Sequence, residues 1–176
     1  IFPEQADNWR FIYDNVKRIN SSDCNVLNLF AYTGGASLAA RSAGAKVYHV
    51  DAVKQVVNWS SEKQAAAKLD NRHWIVEDAM KFVKREQRRG NKYNGIIMDP
   101  PAFGRGPAGE KWILEDSINE IVEVSSQILK DENSFFILNL YSMGLSALIS
   151  ENIVKSHLKN ADTHCGEMFF ADKADR

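Results

Sequence analysis

Apolar residues along the 176-residue chain come in two alternating rhythms. Trp9, Ile12, Tyr13, Val16 and Ile19 recur at helical spacing and predict an amphipathic helix that Asp7 or Asn8 can cap. Residues 26–31 (Val-Leu-Asn-Leu-Phe-Ala) form a nearly unbroken apolar run, the pattern of a parallel strand covered on both faces. The same short runs return at 45–50, 73–76, 93–98, 134–141 and 165–171. Between them lie stretches with helix character: from Ala36 on, then 53–69, 79–89, 111–130 and 145–158. Gly90 stops the helix that begins at Ala79. Strands alternating with helices at this pitch predict an α/β fold, a doubly wound, mostly parallel sheet. Its expected strand order is 3-2-1-4-5, with the sixth strand beyond the fifth.

In such a sheet ligands bind outside the carboxyl ends of the strands, so the residues at those ends are the candidates. After the first strand Tyr32-Thr33-Gly34-Gly35 breaks the apolar run and leads into a helix. Paired glycines there permit positive φ and leave backbone N–H groups open to a ligand. Asp51 closes the second strand, placed to accept hydrogen bonds from ribose hydroxyls. Glu77 and Asp78 close the third, and Tyr141-Ser142 the fifth. The fourth runs into Asp99-Pro100-Pro101-Ala102-Phe103. Two prolines fix φ and carry no N–H, so they make a rigid bend with free carbonyls. Asp99 and the Pro100 carbonyl become acceptors held in place, and Phe103 offers a ring to stack on a flat base. No GK[ST] follows the glycines, and Gly34-Gly35 is followed by Ala36-Ser37 rather than a G-x-G-x-x-G pattern. Both departures argue against nucleoside triphosphates and NAD.

Bulk properties narrow the picture little. A net charge of −1 gives no case from composition for a nucleic-acid or membrane partner. No apolar run reaches the roughly 18 residues of a membrane helix. Cys24 and Cys165 form no CxxC pair, which fits a reducing, cytoplasmic setting, and the four histidines show no metal-ligand spacing. Starting at Ile1 and stopping soon after the sixth strand, the chain reads as a fragment of a longer protein. Residues 1–20 form an entry segment and helix, residues 21–176 the domain proper, with a last strand missing.

Asn28-Leu-Phe-Ala-Tyr-Thr-Gly-Gly35, His49-Val-Asp-Ala52, Glu77-Asp-Ala79 and Asp99-Pro-Pro-Ala-Phe103 resemble motifs of class I S-adenosylmethionine-dependent methyltransferases. The closest likeness is to the bacterial group with large-subunit (23S) ribosomal RNA methyltransferases for cytosine C5 and guanine N7. Phe2-Pro-Glu-Gln5 is similar to that group's entry motif. The resemblance implies a Rossmann-like methyltransferase fold with S-adenosylmethionine as cofactor. Gly34 and its neighbours Asn28, Phe30, Tyr32, Thr33 and Gly35 would serve its methionine part. Asp51 with Ala52 would hold the ribose and Asp78 with Ala79 the adenine amine, and Gln5 joins this cofactor set. Asp99, Pro100, Pro101 and Phe103 would face the methyl acceptor, with no metal and with ribosomal RNA as the substrate.

Methylating cytosine C5 needs a thiolate at the strand-end edge, and the fifth strand ends in Tyr141-Ser-Met-Gly144 without one. A base nitrogen is therefore the expected acceptor. Lys84, Arg85, Arg88, Arg89, Lys92 and Arg105 make either a phosphate-contacting patch or a solvated helix face. Two rival readings remain at this point: methylation of a protein amide or small-molecule amine, and an inactive cofactor-binding module associated with RNA.

Overall fold

The computed structural model describes residues 2–65, 72–141 and 146–168. Five parallel strands form one sheet: β1 (Asn25–Leu29), β2 (Lys46–Asp51), β3 (Arg72–Val76), β4 (Gly95–Met98) and β7 (Phe135–Leu138). Their order is β3-β2-β1-β4-β7, the expected 3-2-1-4-5. The register places the ends of β1, β2 and β4 level, with Leu29 opposite both Val50 and Met98. Residues that alternate along the strands supply the two faces. Leu27, Leu29, Ile96 and Met98 pack with Phe82 and Val83 of α4 (Ala79–Arg89) and with Ile118, Ile121 and Val122 of α5 (Leu114–Ile128). On the other face Val26, Val47, Ile97 and Ile137 pack with Ile12 and Val16 of α1 (Ala6–Ile19) and Ala40 of α2 (Gly35–Ser42). Each such buried aliphatic side chain contributes about 1.5–3 kcal/mol. The remaining helices are α3 (Lys54–Ala65) and α6 (Ala147–His157).

Four expectations need correction. The helix expected over 111–130 starts at Leu114, because Lys111–Ile113 is strand β6, paired antiparallel with β5 (Phe103–Arg105). Alternation explains it: Trp112 is buried while Lys111 is exposed, and Gly106-Pro-Ala-Gly109 supplies the turn. Residues 102–109 are expected as a glycine-rich loop, but Phe103–Arg105 within them is a strand and 106–109 is the hairpin tip. Neither Asp7 nor Asn8 caps α1, since a 3-10 turn, Pro3–Gln5, runs straight into that helix. Finally, Cys165–Met168 joins no strand, and the rest of the expected sixth strand, 169–171, lies outside the described residues. Ser142 and the start of the helix expected from 145 also lie outside them.

Candidate active site

The turn after β1 is held in an unusual conformation. Phe30 and Tyr32 both have positive φ, 54° and 43°, and Gly34 follows at 79°. Side chains disfavour this region for the first two, so the surroundings must over-determine it. They do. The Ala31 N–H donates to the Val50 carbonyl at 3.1 Å, and the Tyr32 N–H to Asp51 Oδ2 at 2.9 Å. Ser60 Oγ donates to the Tyr32 carbonyl at 3.0 Å, and the Phe30 ring packs on Trp112 with centroids 4.8 Å apart. Gly34 is the N-cap of α2, directing that helix's free N–H groups at the sheet's carboxyl edge. Gly35 has a different need for being glycine. A Cβ there would stand 2.9 Å from the Trp9 ring, so the position admits the packing of α1.

Beneath this turn lies a buried polar chain that the sequence did not disclose. Asn28 Nδ2 donates to Ser37 Oγ at 2.9 Å, and Ser37 Oγ meets His49 Nδ1 at 3.0 Å. All three side chains are buried. With Asn28 supplying one donor, the Ser37 hydroxyl is free to donate to Nδ1 of a neutral His49 ring. Burial pushes the His49 pKa down to about 4, with the Tyr32 carbonyl opposing weakly. The unfolded ring titrates at about 6.5, so the contribution of neutral His49 to stability is complete above that value. It is lost as pH falls toward 4, by an amount on the order of 3 kcal/mol. Urea unfolding of wild type and His49→Asn at pH 7.5 and pH 4.5 isolates this loss, because the other titrating groups are common to both, and the acid-side loss should be smaller in the variant.

The acids at the other strand ends keep acceptor capacity. Asp51 takes one backbone N–H on each oxygen, Tyr32 on Oδ2 and Val53 on Oδ1 at 2.9 Å, which leaves a lone pair on each among the described residues. Asp78 caps α4 by accepting the Lys81 N–H on Oδ1 at 2.9 Å, while among the described residues no hydrogen bond reaches Oδ2. Glu77 is committed to Arg85, whose Nη1 reaches both of its oxygens. Ala52 follows Asp51 in a bend, and Ala79 turns its side chain into the core. Thr33 sits half-buried in the turn itself. An open helix N-terminus, a carboxylate with two spare lone pairs and a second with a spare oxygen are the donor and acceptor set that a nucleoside carrying an amino-acid tail requires.

At the ends of β4 and β7 a second cluster forms. Gln5, buried, donates to the Tyr141 hydroxyl at 2.5 Å. Its Oε1 accepts from Asn8 at 2.9 Å and from Asn139 at 3.1 Å, and Asn8 also donates to Asn139 Oδ1 at 2.9 Å. The entry segment is therefore fastened to the sheet edge beside Asp99. Burial, with the nearby Glu4 carboxylate adding, raises the Asp99 pKa to about 6. Burial also raises the Tyr141 pKa; the Gln5 bond opposes, while Asp99 and Glu4 raise it further. Of the two proline carbonyls, that of Pro101 accepts from Trp112 Nε1 at 2.7 Å. The Pro100 carbonyl has no partner among the described residues. Phe103 stands 75% exposed on the hairpin that follows.

The candidates thus gather along one sheet edge in two groups: the Tyr32–Gly35 turn with Asp51 and Asp78, and Asp99 with the prolines, Gln5 and Tyr141. Glu4, Asn8, Asn139, Ser37 and His49 were not foreseen. Tyr141 had a signal, its place at a strand end; the buried partners had none. Among the described residues no group of three His, Cys, Asp or Glu side chains could hold a metal ion, and no helix is long and apolar enough to cross a membrane.

Sheet order, strained turn and strand-end acids define the class as that of the class I S-adenosylmethionine-dependent methyltransferases. The chain belongs to the family described as Conserved hypothetical protein 95, whose pattern matches residues 11–139. It is 31% identical over 131 residues to the ribosomal RNA large subunit methyltransferase K/L of Shewanella frigidimarina, covering 70% of this chain and 18% of that protein. It is 32% identical over 110 residues to the ribosomal RNA large subunit methyltransferase I of Aeromonas salmonicida, covering 60% of this chain and 26% of that one. The chain therefore spans about a fifth to a quarter of the length of these curated relatives. Among solved structures, the SAM-dependent methyltransferase from Agrobacterium tumefaciens superposes with a TM-score of 0.86 at 41% identity, over 90% of this chain and 51% of that one. SMU.776, a methyltransferase crystallised with SAH, the demethylated cofactor, superposes with a TM-score of 0.70 at 26% identity, over 92% of this chain and 42% of that one.

Proposed function

We propose that this chain transfers a methyl group from S-adenosylmethionine to a base nitrogen of ribosomal RNA, in the cytoplasm. The observation that carries the reading is Asp99, a half-buried carboxylate beside the free Pro100 carbonyl, on the edge that also carries the Tyr32–Gly35 turn. The relatives named for large-subunit ribosomal RNA support the acceptor class. Gly34, Gly35 and Thr33 at the start of α2 take the cofactor's amino-acid end, Asp51 its ribose hydroxyls, and Asp78 Oδ2 its adenine amine. When bound, the cofactor supplies an electrophilic methyl on a positive sulfonium, which leaves as a neutral thioether.

The chain's own work is alignment and proton acceptance. Asp99 and the Pro100 carbonyl accept hydrogen bonds from the N–H groups of the acceptor, which orients the nitrogen lone pair. As the N–C bond forms, the nitrogen becomes more acidic, and ionised Asp99 is positioned to take the proton. Gln5 fixes the Tyr141 hydroxyl, which closes the same side of the site. Phe103 stacks on the base.

A nitrogen acceptor needs no covalent adduct, and among the described residues no hydrogen bond joins either cysteine to Asp99, Gln5 or Tyr141. Cys24 is buried in the core cluster beneath α1 and α2, with burial raising its pKa, and Cys165 is exposed after α6. The double change Cys24→Ala, Cys165→Ser should keep kcat within a few fold. RNA containing 5-fluorocytosine should fail to trap the protein, and the methylated nucleoside should carry its new mass on nitrogen. Loss of activity in Cys165→Ser together with covalent trapping would return the reaction to cytosine C5.

A further inference from the structure

The six basic residues expected as a patch divide once their partners are visible. Lys84 pairs with Glu120 at 2.5 Å, Arg85 with Glu77 at 2.5 Å and Arg89 with Glu86 at 3.2 Å. Lys92 donates to the Gln127 carbonyl at 2.7 Å. The α4 face is therefore largely neutralised by the protein's own acids and carbonyls. Arg88 stands on α4 with no ion pair among the described residues, and in the hairpin none holds Arg105 and none holds Lys111. Arg105 and Lys111 are direct cross-strand partners in the β5–β6 hairpin.

The hairpin has two distinct faces, because opposed residues of an antiparallel pair share a side. Gly104 and Trp112 form the inner side, with Trp112 pinned to the Pro101 carbonyl and to Phe30. Phe103, Arg105, Lys111 and Ile113 form the outer one. The tip is fixed by Glu110. Its carbonyl accepts the Gly106 N–H at 2.8 Å, its Oε2 accepts the Ala108 N–H at 2.9 Å, and its Oε1 pairs with Lys81 of α4. That acid is spent, so it does not offset the two free cations. The outer face thus presents an aromatic ring and two adjacent uncompensated cations, one strand away from Asp99-Pro-Pro101. Three more half-exposed rings, Phe2, Tyr32 and Tyr141, stand on the same sheet edge.

We propose that the outer face of the β5–β6 hairpin is an RNA-binding surface, with Arg105 and Lys111 contacting backbone phosphates of the single strand that carries the acceptor base. Cations beside stacking rings are the means by which unpaired strands are held, and an acceptor base must leave any stack to reach Asp99. The two cations set the strand's path across the mouth of the site, and the fixed tip keeps them there without ligand. This surface rests on the RNA reading above.

Fluorescence anisotropy with a labelled, mixed-sequence RNA of about 20 nucleotides tests it, between roughly 50 and 200 mM salt. Arg105→Ala and Lys111→Ala should each lower the slope of log affinity against log salt by about 0.7, the double variant by about 1.4. The double variant should lose about tenfold or more in affinity, with S-adenosylhomocysteine affinity by calorimetry unchanged. Phe103→Ala should weaken binding at an unaltered slope, since stacking releases no counterions. Arg88→Ala on α4 should change neither. If wild type methylates ribosomal RNA while the double variant keeps its affinity and slope, the hairpin assignment is overturned and the RNA reading stands. Loss confined to Arg88→Ala would place the strand on α4 and also overturn it. If wild type neither binds nor methylates RNA, both fall.

Discussion

Replacing Asp99 with Ala is expected to lower kcat by roughly a hundredfold or more, with the KM for S-adenosylmethionine nearly unchanged. On the proposed function the carboxylate faces the acceptor, so its loss would remove an interaction made as the nitrogen attacks. Unfolding is not the cause. A carboxyl whose folded pKa is raised to about 6 favours its protonated form in the fold, so its contribution to stability is present at low pH. That contribution is lost as pH rises from about 4 through 6, and Asp99→Asn should be no less stable than wild type at pH 8. Proton acceptance requires the ionised form, so kcat of the wild type should rise with pH through about 6. Glu4 adds to the upward shift, and Glu4→Gln should move that limb to lower pH. A rise in cofactor KM at constant kcat would assign Asp99 to cofactor binding.

The second large effect belongs to Asp51. Asp51→Ala should weaken S-adenosylhomocysteine binding by about tenfold or more, as expected for losing charge-assisted hydrogen bonds to ribose. It should also loosen the Tyr32 turn, because the same carboxylate accepts the Tyr32 and Val53 N–H groups. Calorimetry gives the affinity, and amide exchange at Tyr32 reads the turn. Asp51→Asn separates the two: the amide oxygen can still accept one backbone N–H, so the turn recovers more than the ribose contact does. Unchanged affinity in a folded Asp51→Ala would remove Asp51 from the cofactor site.

Strand order and the strand-end acids were legible because each depends on local pattern. The apolar runs 26–31 and 93–98 mark strands covered on both faces, and the position of Asp51 after its run is fixed by counting. Contacts distant in sequence were not legible. Gln5 meets Tyr141 across 136 positions, and Asn28, Ser37 and His49 meet only because β1, α2 and β2 pack together. The hairpin could have been read. Gly106-Pro-Ala-Gly109 between Phe-Gly-Arg and Lys-Trp-Ile is a turn flanked by short alternating runs. Its second strand, Lys111–Ile113, merged with the following helix, since Trp112 and Leu114 fit either period. The glycine pair shows how one signal can have two causes. Gly34 is needed for its φ of 79°, and Gly35 for the Trp9 ring against it.

Methyl transfer to a nitrogen of ribosomal RNA is the reaction proposed for the Asp99 edge. Its most direct test incubates the protein and labelled S-adenosylmethionine with ribosomal RNA from a strain lacking the gene, then identifies any methylated nucleoside by mass. Incorporation at one N-methylated base, absent with RNA from the parent strain and lost with Asp99→Ala, is the expected result. Cofactor binding without incorporation into that RNA, or incorporation undiminished in Asp99→Ala, would contradict it.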